Sequence, residues 1–128
     1  MNGFIALTSM LIIGALVLTI SIGVLLRSIN EMKMSLGEQE AHRALALVNL
    51  CGELALMKIE SVFNYSGNES IIIGEESCDV LQIEGSGNTD RTIKVQSTVS
   101  GYTKKVKIEI SQISPAMYIS SWEEVQDF

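Results

Sequence analysis

The chain has 128 residues, with 9 Lys and Arg against 15 Asp and Glu and a net charge of −6. This length allows one small domain and excludes a large multidomain enzyme. The acidic balance also excludes general attraction to nucleic acid, so any DNA contact would need a local basic patch. Hydrophobic residues make up 47% of the sequence but aromatic residues only 5%, so the apolar residues are expected to be concentrated in one segment.

That segment lies near the N-terminus, where Phe4 to Leu26 contain no charged residue. A helix of this length is about 35 Å long, and the hydrocarbon core of a bilayer is about 30 Å thick. A buried core helix is the alternative, but the residues that follow are too few to enclose it. A secretory signal peptide fits less well, because no basic region precedes the segment and no small-residue cleavage site follows Leu26. We therefore predict a membrane-spanning helix.

Helical spacing continues through residues 27–63, a region without proline, so the whole helix is predicted from Phe4 to Phe63 and would be roughly 90 Å long. The part of the helix that follows the membrane segment carries two stripes of apolar residues at helical spacing. The first predicts packing on a sheet of this chain, and the second requires a further partner, either another part of the chain or a second copy. The first stripe comprises Ala41, Ala44, Leu45, Val48, Cys51, Ala55, Leu56, Ile59, Val62 and Phe63, and the second comprises Leu47, Leu50, Leu54 and Met57.

Residues 64–128 have turn signals and strand patterns, which predict an antiparallel meander. Ser100-Gly101 fits a two-residue hairpin loop, and this loop pairs Ile93 with Ile108 and Val95 with Val106 on one face. The apolar face is expected to pack on the helix. The predicted strands are Ser70 to Ile73, Cys78 to Glu84, Arg91 to Val99 and Tyr102 to Ile110.

The other face of the hairpin carries lysines. The same register places Lys94 opposite Lys107 and Gln96 opposite Lys105, with no acid directly opposite any of the three lysines. A charged face that keeps the sheet soluble is one interpretation. The other is a contact with the acidic segment 64–90 of an adjacent subunit or, more weakly, with DNA phosphates.

The C-terminal tail contains the only Trp. Ser114-Pro115 is expected to end the ladder of the hairpin, because proline lacks a backbone donor. Residues 117–128 are then predicted to form an edge strand, followed by a turn that Ser121 caps together with Glu124.

The two cysteines, Cys51 on the helix and Cys78 on the second strand, allow two interpretations. Outside the cytoplasm they would form a disulfide that closes a loop of roughly 28 residues, worth about 3 to 4 kcal/mol. In a reducing compartment they would remain buried thiols. The membrane segment and the long helix favour export and hence the disulfide.

Catalytic signals are weak. The only histidine, His42, has Glu38 one helical turn away, but two candidate ligands do not make a metal site. The Gly-rich loop at residues 85–88 lacks the lysine of a phosphate-binding loop and is interpreted as a hairpin connection. We therefore expect no enzyme activity, no cofactor and no metal.

Gly3-Phe4, the uncharged helix, its amphipathic continuation and the small sheet with a cysteine pair resemble type IV pilins and pseudopilins. The resemblance implies an α+β fold, with a long N-terminal helix packed on a small C-terminal antiparallel sheet. It divides the chain into four parts. These are a leader at residues 1–3, a transmembrane and filament-core helix at 4–26, its amphipathic continuation at 27–63 and a β-sheet head at 64–128.

The same resemblance implies how the chain is processed and assembled. A prepilin peptidase would cut after Gly3 and methylate Phe4, and the subunit would leave the membrane to join other pilin subunits in a cell-surface filament. The fifth mature residue would then be Thr8, where major pilins have glutamate. This difference is similar to minor pilins of the X type. The head would lie outside the cytoplasm.

A membrane-anchored accessory subunit of an envelope or secretion complex is the alternative function. It would keep a single span and would not be cleaved at Gly3. Arg27, Lys33 and Arg43 follow the span and no basic residue precedes it, so charge distribution alone would place the C-terminal region in the cytoplasm. The resemblance and the cysteine pair favour the opposite orientation, with the C-terminal region outside.

Overall fold

The structure is a computed structural model that describes residues 2–128, and Met1 of the predicted leader lies outside them. The described chain has one helix and one antiparallel sheet with strand order β1-β2-β3-β4-β5, which confirms the predicted α+β class. The chain forms two compact units, which divide between Glu38 and Gln39. The elements are α1 (Asn2–Ser61), β1 (Glu69–Ile73), β2 (Glu76–Val80), β3 (Thr89–Val99), β4 (Tyr102–Gln112) and β5 (Tyr118–Val125).

Helix α1 agrees with the predicted helix to within two residues at each end. Its last turn closes where the Val62 N–H donates to the Lys58 carbonyl at 2.9 Å, and the Tyr65 N–H then bonds the Val62 carbonyl. A turn that contains Gly67 and Asn68 follows the helix. These residue types suit it because a tight reversal needs positive φ, and Gly67 has φ of +74° and Asn68 of +54°.

The core of the second unit lies between α1 and one face of the sheet. Side chains alternate between buried and more exposed along β3 and β4, as expected for strands with one covered face. Ser97 is the buried hydroxyl of this core, and it donates to the Ala44 carbonyl at 2.8 Å. The apolar side chains that meet there are Val48, Cys51, Ala55, Leu56 and Ile59 of α1 with Cys78, Val80, Ile83, Ile93, Val95, Val106, Ile108, Ile110 and Ile113.

The predicted register of the central hairpin is confirmed. Ile93 pairs with Ile108 and Val95 with Val106, and Lys94 pairs with Lys107 on the opposite face. The loop residues Ser100 and Gly101 have φ of 51° and 84°. Two positive φ values are typical of a type I′ turn, whose twist matches that of the strands.

The sheet of the same chain covers only part of the second stripe. Leu47 is buried beside Val99, but Leu50 and Met57 are 42% and 63% exposed. At the end of the first stripe, Val62 and Phe63 are also exposed, because they lie beyond the last helical residue. Leu50 and Met57 therefore remain available to a further partner.

Strand β2 differs from the prediction, because it ends at Val80 and does not continue to Glu84. Beyond Val80 the chain bonds the turn after the helix: the Ile83 N–H donates to the Ser66 carbonyl at 2.9 Å. A Cβ on Gly67 would lie 2.2 Å from the Leu81 carbonyl oxygen, so this close approach requires glycine.

The predicted turn at Ser121 and Glu124 is wrong, although the predicted edge strand is present. Both residues lie inside β5, opposite Glu109 and Val106 of β4. The Trp122 indole N–H donates to the Asn49 side-chain oxygen at 3.0 Å, which ties this strand to the helix. Cross-strand pairing thus overrides the local capping signal.

Candidate functional site

The predicted processing junction, Gly3-Phe4, lies in the first turn of α1. The Phe4 side chain is 74% exposed, and a Cβ added to Gly3 would meet no atom within 4 Å. In the described chain nothing therefore covers the junction. Its cleavage and methylation stay predictions.

The apolar segment has no unpaired side-chain hydroxyl. The Thr8 hydroxyl contacts the Phe4 and Ile5 carbonyls at 3.1 and 3.0 Å. Three other hydroxyls bond carbonyls one turn back at 2.7 to 2.8 Å, from Ser9, Thr19 and Ser21. Such bonds satisfy the hydroxyl donors inside the helix, so the segment presents no orphan hydroxyl to an apolar environment.

The large apolar side chains of this segment are all exposed. From Phe4 to Leu26 their exposed fractions lie between 54% for Ile22 and 79% for Met10. One helix of the described chain, α1, is long and apolar enough to cross a membrane. An uncovered apolar surface of this size requires lipid or other protein around it.

Thr8 occupies the position where the resemblance would place a glutamate in a major pilin. The Thr8 hydroxyl contacts backbone carbonyls of its own helix and therefore requires no charged partner. A glutamate there would be costly in an apolar environment unless a cation paired with it.

Cys51 and Cys78 form a disulfide, as predicted, with Cα atoms 6.5 Å apart. Both residues are almost completely buried in the core of the second unit. The bond joins α1 to β2 across a sequence separation of 27 residues. Disulfides of this kind persist in oxidising compartments.

The three predicted lysines lie on one face, but acids that the hairpin register did not include accompany each of them. Lys94 pairs with Glu84, Lys105 with Asp127 at 2.8 Å, and Lys107 with Glu109 at 2.7 Å. Strand β5 also places Glu123 opposite Lys107. Within the hairpin no acid lies directly opposite the three lysines, as predicted, and the acids that pair with them are not their cross-strand partners in β3 and β4.

The tail after β5 folds onto this lysine face. The Phe128 ring centroid lies 5.3 Å from the Lys105 ammonium and 5.9 Å from that of Lys94. A hydrogen bond from Lys105 and a second one from the Phe128 N–H lower the pKa of Asp127 below its ordinary value of 3.8. A cation over an aromatic face and an adjacent ion pair are individually weak at an exposed site.

We expect this tail contact to depend on pH. Because the pKa of Asp127 is lowered in the folded state, the contact is present above the ordinary value and is lost as pH falls through the folded value. Nuclear Overhauser contacts between the Phe128 ring and Lys105 should vanish in parallel with Asp127 protonation. In Asp127→Asn they should be weak at every pH. Equal contacts in both proteins across the titration would show that Asp127 does not hold the tail.

Sequence reasoning missed a second charged network. The Glu69 carboxylate accepts from both Lys58 and Tyr65, and these hydrogen bonds lower its pKa, Lys58 contributing most. Burial, together with the nearby Glu69, raises the pKa of Tyr65. The three residues link the end of α1 to β1, and no local motif marks them.

The sequence analysis assigned Arg91 only to a strand and did not predict its contacts with the turn after α1. It is only 4% exposed, and it bonds backbone carbonyls of the turn after α1.

Among residues 2–128 no cluster of three or more His, Cys, Asp and Glu side chains is placed to hold a metal ion. No protein-family model, curated protein or solved structure matches this chain.

Proposed function

We propose that this chain is a structural subunit, of the minor type, of a type IV pilus or a related filament. The observation that carries the proposal is the uncharged 4–26 segment, whose large side chains are all exposed and whose hydroxyls are all satisfied within the helix. Such a segment is suited first to lipid and then to a helical core formed by other subunits.

Three further features support the proposal. The disulfide favours a head outside the cytoplasm, because cytosolic thiols are kept reduced. Leu50 and Met57 remain exposed on the helix that carries the head, where neighbouring subunits would cover them. Thr8 needs no charged neighbour, which is consistent with a minor subunit. The partners are other pilin subunits and a prepilin peptidase.

The competing function is a permanent single-span anchor for an accessory subunit. The basic residues Arg27 and Lys33 favour it, because they follow the span and would hold the adjacent region in the cytoplasm. The two functions differ in the fate of Gly3-Phe4. Only a pilin loses residues 1–3 and acquires a methyl group on Phe4.

Processing is therefore the direct test. Mass spectrometry of the N-terminal peptide, from native membranes and from sheared surface filaments, is expected to find mature protein beginning at N-methylated Phe4. Gly3→Leu should accumulate as full-length precursor in the membrane. The reason is that a bulky side chain would then lie directly before the bond that the peptidase cleaves.

Gly14→Ala is the matched control. A Cβ at Gly14 also meets no atom within 4 Å, so this glycine can be replaced without a clash, and processing should be unchanged. Normal processing and normal filaments in Gly3→Leu would refute the pilin proposal. A wild-type protein that keeps residues 1–3 and stays in the membrane would indicate the anchor.

A further inference from the structure

Arg91 on β3 is a buried cation without a carboxylate partner in the described chain. One terminal nitrogen, Nη1, donates to the carbonyls of Phe63 and Gly87 at 3.0 and 3.2 Å, and Nη2 donates to the Tyr65 carbonyl at 3.2 Å. The Nε–H is buried and has no acceptor within residues 2–128. Carbonyl dipoles satisfy part of the guanidinium, but they do not neutralise its charge.

A cavity of about 250 Å³ lies beside this guanidinium. The residues that line it include Arg91, the two serines Ser66 and Ser86, and Gly85 and Gly87 of the same loop. Neither hydroxyl makes a hydrogen bond in residues 2–128, and the N–H groups of Gly85, Ser86 and Gly87 have no acceptor in the same described chain. Both serines and the three loop residues are exposed, so these donors are open to solvent and to a ligand beside the buried Arg91 charge.

The loop is built to approach the arginine closely. A Cβ on Gly85 would lie 2.3 Å from the Asp90 carbonyl oxygen and 3.3 Å from the Arg91 Cδ, so glycine is required there. Gly85 and Gly87 have φ of +83° and +78°, on either side of Ser86. Turns with such alternation direct successive N–H groups into a concave surface that suits anions.

We propose that this cavity binds a small oxyanion, either phosphate or a carboxylate. The Arg91 charge attracts the anion, and the loop N–H groups and the two serine hydroxyls donate hydrogen bonds to its oxygens. The adjacent Asp90 and the net charge of −6 oppose an anion, so we expect weak binding, in the millimolar range. This proposal does not depend on the proposed function.

The test is a titration of the full-length protein in neutral detergent micelles, at constant ionic strength set with sodium chloride. Inorganic phosphate should cause saturable amide shifts at Gly85 to Gly87 and a shift of the Arg91 Nε–H signal. Acetate is titrated in a second arm. Saturation by phosphate alone assigns a phosphate site, and saturation by acetate as well assigns a general oxyanion site that also accepts a carboxylate.

Ser86→Asp is the main variant, because its carboxylate would occupy the cavity and repel the ligand. It should weaken phosphate binding by about tenfold or more. Ser77→Asp is the matched control: Ser77 lies exposed on β2, so the same charge change there should alter binding by about twofold or less. Arg91→Gln should abolish the saturable shifts.

Three results would overturn the proposal. They are the absence of saturable shifts in the wild type, an equal loss of binding in Ser86→Asp and Ser77→Asp, and wild-type binding by a folded Arg91→Gln. If Arg91→Gln does not fold, the two serine variants decide. The first result would leave Arg91 as a structural clamp on the turn after α1.

Discussion

Cys51→Ser is expected to destabilise the second unit by about 3 to 4 kcal/mol and to make Cys78 reactive towards thiol reagents. The lost cross-link closes a separation of 27 residues, and the new hydroxyl is buried where the cysteine was completely enclosed. Urea unfolding followed by Trp122 fluorescence measures the change in stability, because this indole bonds Asn49 of the helix.

Labelling under denaturing, non-reducing conditions measures the thiol. Wild-type Cys78 should stay unlabelled until a reductant is added, and the double variant Cys51→Ala with Cys78→Ala should give no label at all. Equal labelling of Cys78 in the wild type and in Cys51→Ser would mean that the protein carries free thiols. That result would also remove the disulfide as support for a head outside the cytoplasm.

Ile108→Ala is expected to cost about 2 to 5 kcal/mol of unfolding free energy. Ile108 is completely buried at the centre of β4, where it faces Ile93 across the hairpin and packs below α1. Removal of its terminal atoms loses apolar burial and leaves a cavity that the rigid sheet only partly fills.

Ile72→Ala is the matched control, because it makes the same chemical change on an edge strand where the side chain is 77% exposed. Its cost should stay within about 0.5 kcal/mol. Chemical denaturation of both variants in the same detergent gives the comparison. Similar costs at the two positions would contradict the burial of Ile108 in the core between α1 and the sheet.

The two proposals fail independently. Cleavage at Gly3 concerns the first unit, and the oxyanion cavity around Arg91 lies wholly within the second. An uncleaved protein that binds phosphate would be an anchored anion-binding module. A cleaved protein that binds none would be a pilin in which Arg91 only holds the turn after α1.

Features that depend on near neighbours in the chain could be predicted from the amino-acid sequence alone. The absence of charge over residues 4–26 defines the apolar helix, because hydrocarbon compatibility is a property of a continuous run. Ser100-Gly101 sets the central hairpin and its register, because a two-residue loop leaves the strands one pairing. The disulfide was predicted on other grounds, because the membrane segment and the long helix favour export and the chain contains only two cysteines.

Contacts between distant segments are seen only in the folded structure. Trp122 meets Asn49 across 73 positions of sequence, and this contact helps to hold residues that resemble a capped turn in an extended edge strand. The same strand brings acids to the lysine face. Arg91 reaches carbonyls 26 and 28 positions away. Such contacts leave no periodic or local signal, because they depend on how helix, turn and sheet pack together rather than on the spacing of residues along the chain.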